Sequence, residues 1–126
     1  MSIQRPAEGI SLLVLAGSDI GEFGDFAMRE LAKDLQRAGG LELFIDAGAV
    51  RGASIEVSSE WMLWLRAHRA QFHHVNMLTG SRYIQITAEF VRRFSHLVDR
   101  MTIFTDRAAF GETLSRAIGR EHSRLM

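Results

Sequence analysis

The sequence predicts a small α/β domain, a mixed β-sheet of four to five strands with helices packed mainly on one side. Two observations predict it. Short apolar runs bounded by glycine and polar residues alternate with longer stretches whose apolar residues recur every three or four positions. These are the patterns of buried strands and of one helix face. Strands that alternate with helices pair in parallel and carry the helices on the sheet. The 126 residues fit one domain, and no repeat or linker divides them.

The elements follow in order. Ser2 to Pro6 forms a short edge strand, turned by Ala7-Glu8-Gly9 into a hairpin. Ile10 to Ala16 is a buried strand, broken by Gly17 to Gly21. A helix runs from Glu22 to Ala38 with Phe23, Phe26, Ala27, Leu31 and Leu35 on one face, and Gly39-Gly40 stops it. Leu41 to Asp46 is the next strand, and Ala47 to Val57 a long connection. Ser58 or Ser59 is placed to cap a helix starting near Glu60, with Trp61, Leu65, His68 and Phe72 on one stripe and Met62 and Trp64 beside it. Val75 to Thr79 is a strand. A helix from Ile84 to Val98 turns Ile84, Ala88, Val91, Phe94 (or Ser95) and Val98 inward. Met101 to Thr105 is the last strand. Thr105 or Asp106 caps a closing helix with Ala109, Phe110, Leu114 and Ile118, ended by Gly119 before a polar tail. The expected core contains Leu13, Leu15, Phe26, Leu31, Leu43, Ile45, Leu65, Met77, Val91, Phe94, Ile103 and Phe110.

Composition narrows the function. There is no cysteine, so disulfides, thiolate chemistry and Cys-based metal sites are excluded. Lys+Arg and Asp+Glu both number 15, which leaves no overall basic field for nucleic acid. The run Leu12 to Ala16 is far short of the ~20 residues that span a bilayer. With no basic-plus-apolar leader in Met1 to Pro6, the expectation is a soluble cytoplasmic protein without membrane insertion.

No catalytic constellation stands out. Gly17, Gly21 and Gly24 sit between a strand and a helix, but their spacing is neither a dinucleotide fingerprint nor a P-loop. Of the five histidines, His68, His73, His74, His96 and His122, the first three are near in sequence but have no Asp or Glu at ligand spacing beside them, so neither a metal nor another cofactor is expected. Asp46 ends a strand, where α/β proteins tend to place functional groups, and Asp19, Asp99 and Asp106 could gather at the same sheet end. Arg82, Arg92, Arg93, Arg100 and Arg107 are interleaved with acids, as on a solvated helix face. Trp64 lies about 60° off its helix stripe, a position from which a partly exposed aromatic anchors partners.

Three stretches resemble the STAS family (sulfate transporter and anti-sigma-factor antagonist). Gly9 to Gly17 is similar to its early strand running into a glycine. Leu43-Phe44-Ile45-Asp46-Ala47-Gly48-Ala49-Val50 is similar to its strand that ends in Asp before a short apolar link. Val75, Phe90-Val91-Arg92-Arg93-Phe94, Leu97, Met101 to Phe104, Asp106, Ala109 and Leu114 resemble its third strand, long helix, last strand and closing helix. The family's Asp-Ser-Ser-Gly at the start of its second helix corresponds to Ser54-Ile55-Glu56-Val57-Ser58-Ser59-Glu60. With a short insertion, Glu56 takes the Asp place and Ser58 that of the phosphate acceptor. Without it, Ser54 and Glu56 take those places, and the family's Gly is absent either way.

The resemblance implies a STAS-like fold and a non-enzymatic regulatory module that binds a partner protein, of which a kinase-type anti-sigma factor is the family example. Asp46, Glu56, Ser58, Ser59 and Trp64 are the candidate regulatory and interaction residues, and a homodimer is left open. The alternatives are a small-ligand or lipid-binding protein of the same fold, using an apolar pocket near the second helix, and a small flavodoxin-like phosphate-handling enzyme.

Overall fold

The computed structural model describes residues 1–17, 21–52 and 54–125; Asp19 and the side chain of Phe23 lie outside the described residues. The chain runs β1 (Ser2–Ala7), β2 (Ile10–Gly17), α1 (Gly21–Ala38), β3 (Leu41–Val50), α2 (Ile55–Ala67), a 3-10 turn (Arg69–Gln71), β4 (Phe72–Thr79), α3 (Arg82–Phe94), β5 (Met101–Phe104) and α4 (Arg107–Leu125). The five strands form one sheet in the order β1-β2-β3-β4-β5. β1 folds back antiparallel onto β2, and the other pairings are parallel. The hairpin and the β-α-β order of the sequence are both present.

Side-chain alternation divides the sheet into two faces. Leu13, Leu43, Ile45, Val75 and Met101 meet α1, α2 and α3 in the larger core. Ile10, Phe44 and Leu78 meet Phe110 and Ala117 of α4 in a smaller one. Three helices therefore share one face and α4 covers the other. Outside both cores, buried Asp34 of α1 accepts from Ser11 Oγ at 2.7 Å, from Arg5 Nε at 2.9 Å and from Arg37. That cluster ties the β1–β2 hairpin to α1.

Several expectations shift. β3 continues through Ala47 to Val50, because Ala47 pairs with Thr79 of β4 while Ala49 and Val50 pair with Ala16 and Gly17 of β2. The small residues that suggested a loop let the chains approach closely. A Cβ on Gly80 would lie 2.1 Å from the Gly48 carbonyl oxygen, so only glycine fits there. Phe72 opens β4 instead of closing a helix, and Gly119 is interior to α4, which runs to Leu125.

The expected core also needs two corrections, since Phe26 and Phe94 are both 48% exposed. In α1 the buried stripe is Ala27, Leu31, Leu35, and Phe26 lies one residue, about 100°, away from it. In α3 the buried stripe is Ile84, Ala88, Val91 and then Ser95, whose hydroxyl donates to the Val91 carbonyl. Phe94 consequently turns outward. The helix ends there, with His96 at φ 61° and the Leu97 amide donating to the Arg92 carbonyl at 3.0 Å. That closure buries Leu97 and leaves Val98 exposed.

Candidate functional site

The start of α2 differs from the expected one. Ser54 is its N-cap, in extended conformation, and its hydroxyl accepts from the Val57 amide at 3.1 Å. Ser58 and Ser59 therefore do not cap the helix. They lie about one turn inside it and are half-buried, flanked by exposed Glu56 and Glu60. The sequence holds several hydroxyls in this stretch, and only backbone geometry selects Ser54 among them.

Trp64 is half-buried within an aromatic cluster. Its ring lies 4.6 Å from that of His68, 5.8 Å from Phe72 and 6.0 Å from Trp61. His68 Nδ1 is 2.9 Å from the Trp64 carbonyl oxygen, which holds the imidazole against the indole.

Asp46 occupies the opposite face of the sheet. Its carboxylate receives both Arg107 guanidinium nitrogens, at 2.9 and 3.2 Å, and the Gly48 amide at 3.0 Å. Burial opposes its ionisation, but the hydrogen bonds from Arg107 and Gly48 outweigh that and hold the carboxyl below the usual Asp range. This pair joins β3 to the first residue of α4. Glu56, Ser58, Ser59 and Trp64 all belong to α2, so the structure brings those four onto one element and leaves Asp46 apart. The histidines are also dispersed. His68 stacks on Trp64, while His74 bonds Thr102 at 2.7 Å.

Sequence periodicity missed the second apolar stripe of α3. Tyr83, Ile86, Phe90 and Phe94 follow one another at three- and four-residue steps and are 46% to 59% exposed. The Phe90 and Phe94 rings lie 4.5 Å apart. Val98 beyond the helix, and Ile55 and Leu63 of α2, are exposed as well. The signal was present as two apolar stripes on one helix, where a surface helix needs one.

No family model and no curated protein sequence matches the chain. Among the described residues no helix is long and apolar enough to cross a membrane. A solved structure of the anti-sigma factor antagonist SpoIIAA in its unphosphorylated form superposes with a TM-score of 0.57 over 90% of this chain and 96% of that one, at 12% identity. Strand order, the three-and-one helix arrangement and this superposition agree that the chain has a STAS-like fold, that of SpoIIAA.

Proposed function

We propose that this chain is a non-enzymatic, cytoplasmic regulatory module that binds a partner protein through the side of the domain formed by α2 and α3. The observation that carries the reading is the exposed stripe Tyr83, Ile86, Phe90 and Phe94. Contiguous apolar surface of this kind marks interaction sites, and buried aromatics dominate binding energy. The likeness to an anti-sigma factor antagonist supports a protein partner, with a kinase-type anti-sigma factor as the first candidate.

Ser58 is the proposed switch, with Ser59 beside it. A phosphate added near the amino end of α2 meets the helix dipole favourably but sits beside Glu56 and Glu60, which repel it. It would therefore add negative charge to the partner-facing side and weaken docking of an acidic partner. Trp64 of α2 packs its ring against Trp61, His68 and Phe72.

The test is affinity capture followed by mass spectrometry, with wild type, Ser58→Asp and Phe90→Asp as baits. A specific partner is expected on wild type and lost on Phe90→Asp, with Ser58→Asp weakened. Equal capture by all three baits overturns the reading. Capture of the chain's own copies alone replaces the partner with a homodimer.

A further inference from the structure

The exposed row on α3 is narrow and long. By helical geometry Tyr83, Ile86, Phe90 and Phe94 span about 80° of the circumference and about 16 Å along the axis. That is narrower than the face by which a surface helix packs on a sheet, and it matches the seam that one further helix fills. The Phe90 and Phe94 rings lie 4.5 Å apart, which makes the row continuous there. An apolar cavity between α2, α3 and the sheet has Ser58 and Thr87 in its wall, which marks the sides that the two helices turn to each other. Phe90 and Phe94 stand within about 60° of Thr87, so the row borders the seam with α2. On the other side of α3, Arg92 donates to the Met101 carbonyl of β5 at 3.5 Å.

The charges around the row do not cancel. Arg92 holds Glu89, the one acid of α3, at 2.8 Å. Arg82 and Arg93 are exposed at the two ends of the row and have no ion pair among the described residues. On α2, the exposed acids Glu56 and Glu60 each stand two residues from Ser58, about 160° around that helix from the side facing α3. The row is an apolar seam between unpaired cations.

These features select the occupant. The main-chain N–H and C=O groups of α3 are engaged within the helix, so an extended segment laid on it would bury polar groups without partners. A helix satisfies its own. A second copy of α3 fits poorly, because either direction of pairing sets Arg82 and Arg93 against the same cations.

We propose that the α3 row docks an acidic amphipathic helix of the partner protein, with its apolar side chains on Ile86, Phe90 and Phe94 and its carboxylates on Arg82 and Arg93. This rests on the reading that the α2–α3 side binds a partner protein, and adds the partner's element and charge.

The experiment titrates three synthetic helical peptides of about 18 residues into the ¹⁵N-labelled full chain. The first carries leucines at three- and four-residue steps among Glu and Ala. The second has Lys in place of Glu, and the third reorders the first so that no leucine row forms. The first peptide should shift α3 resonances saturably, with the second at least about tenfold weaker and the third without effect. Arg82→Glu/Arg93→Glu, checked by its melt, should invert the preference between Glu and Lys. Should it fail to fold, Arg93→Glu decides. The proposal is overturned by no saturable binding, by shifts centred outside α3, by equal binding of any two peptides, or by a preference that survives the charge reversal. A dimer of the free chain in sedimentation, or cosedimentation with anionic phospholipid vesicles, overturns it as well. The two readings fail separately. A captured partner lost on Phe90→Asp but kept on Arg82→Glu/Arg93→Glu leaves the partner surface standing and overturns the acidic helix. No loss on Phe90→Asp removes the surface itself.

Discussion

The two faces of the sheet are finished differently. On the α4 side, Phe44 is fully buried and meets Phe110 edge-on at 5.7 Å, as does Phe104. Ion pairs rim that small core, Asp46 with Arg107 at 2.9 Å and Glu42 with Arg120 at 3.5 Å. On the other side the core is larger, yet it holds a cavity and carries on α3 an exposed apolar stripe. Strand alternation makes this division of labour possible, because residues one apart on β3 serve opposite faces. The α4 face is closed by aromatic pairs and rimmed by ion pairs, and the α2–α3 side adds an exposed apolar stripe to the larger core.

The contrast can be broken most severely at the aromatic pairs. Phe44→Ala removes a fully buried ring and should cost ~3–5 kcal/mol, measured by denaturant melts. Phe94→Ala, at a half-exposed ring, should cost less than about 1 kcal/mol. Comparable losses would dissolve the distinction between the faces. Next in size is Ser54→Ala, which removes the α2 cap and should cost about 1 kcal/mol, whereas Ser59→Ala should cost less than half of that. A reversed order would restore the later helix start that the sequence suggested.

The smallest effect is electrostatic. The Asp46 carboxyl is held below its ordinary value, so the folded state favours the ionised form. Its stabilisation is full above about pH 4, the unfolded value, and fades as the pH falls through the lower folded value. Asp46→Asn should therefore be less stable than wild type at neutral pH, with the difference shrinking below about pH 4. Urea midpoints measured at several pH values check the sign, and a difference that widens in acid would contradict it.

The elements were legible where period and punctuation agreed. Ile10 to Ala16, the Gly39-Gly40 stop and Met101 to Phe104 all fell close to where the sequence put them. The connection after Asp46 was not legible, because Ala47, Gly48 and Ala49 read locally as a loop. Their strand pairing is set by β2 and β4, which are distant in sequence. Phe26 and Phe94 misled because both are large apolar residues adjacent to a true core stripe. Hydrophobicity alone cannot say which of two neighbouring stripes on a helix faces the sheet. For the same reason the sequence singled out Trp64 on α2 and passed over Phe90 on α3.

The claim that the α2–α3 side carries function is tested most directly by comparing bait variants on the two sides. Wild type, Phe90→Asp on α3 and Arg116→Glu on the exposed side of α4 would be used to capture protein from a lysate of the source cells, with bound species quantified by mass spectrometry. All three baits should keep wild-type melting behaviour within about 1 kcal/mol, since both positions are exposed. The account predicts one partner retained by wild type and by Arg116→Glu and lost by Phe90→Asp. A partner lost by Arg116→Glu and retained by Phe90→Asp would place function on the α4 side and contradict the account.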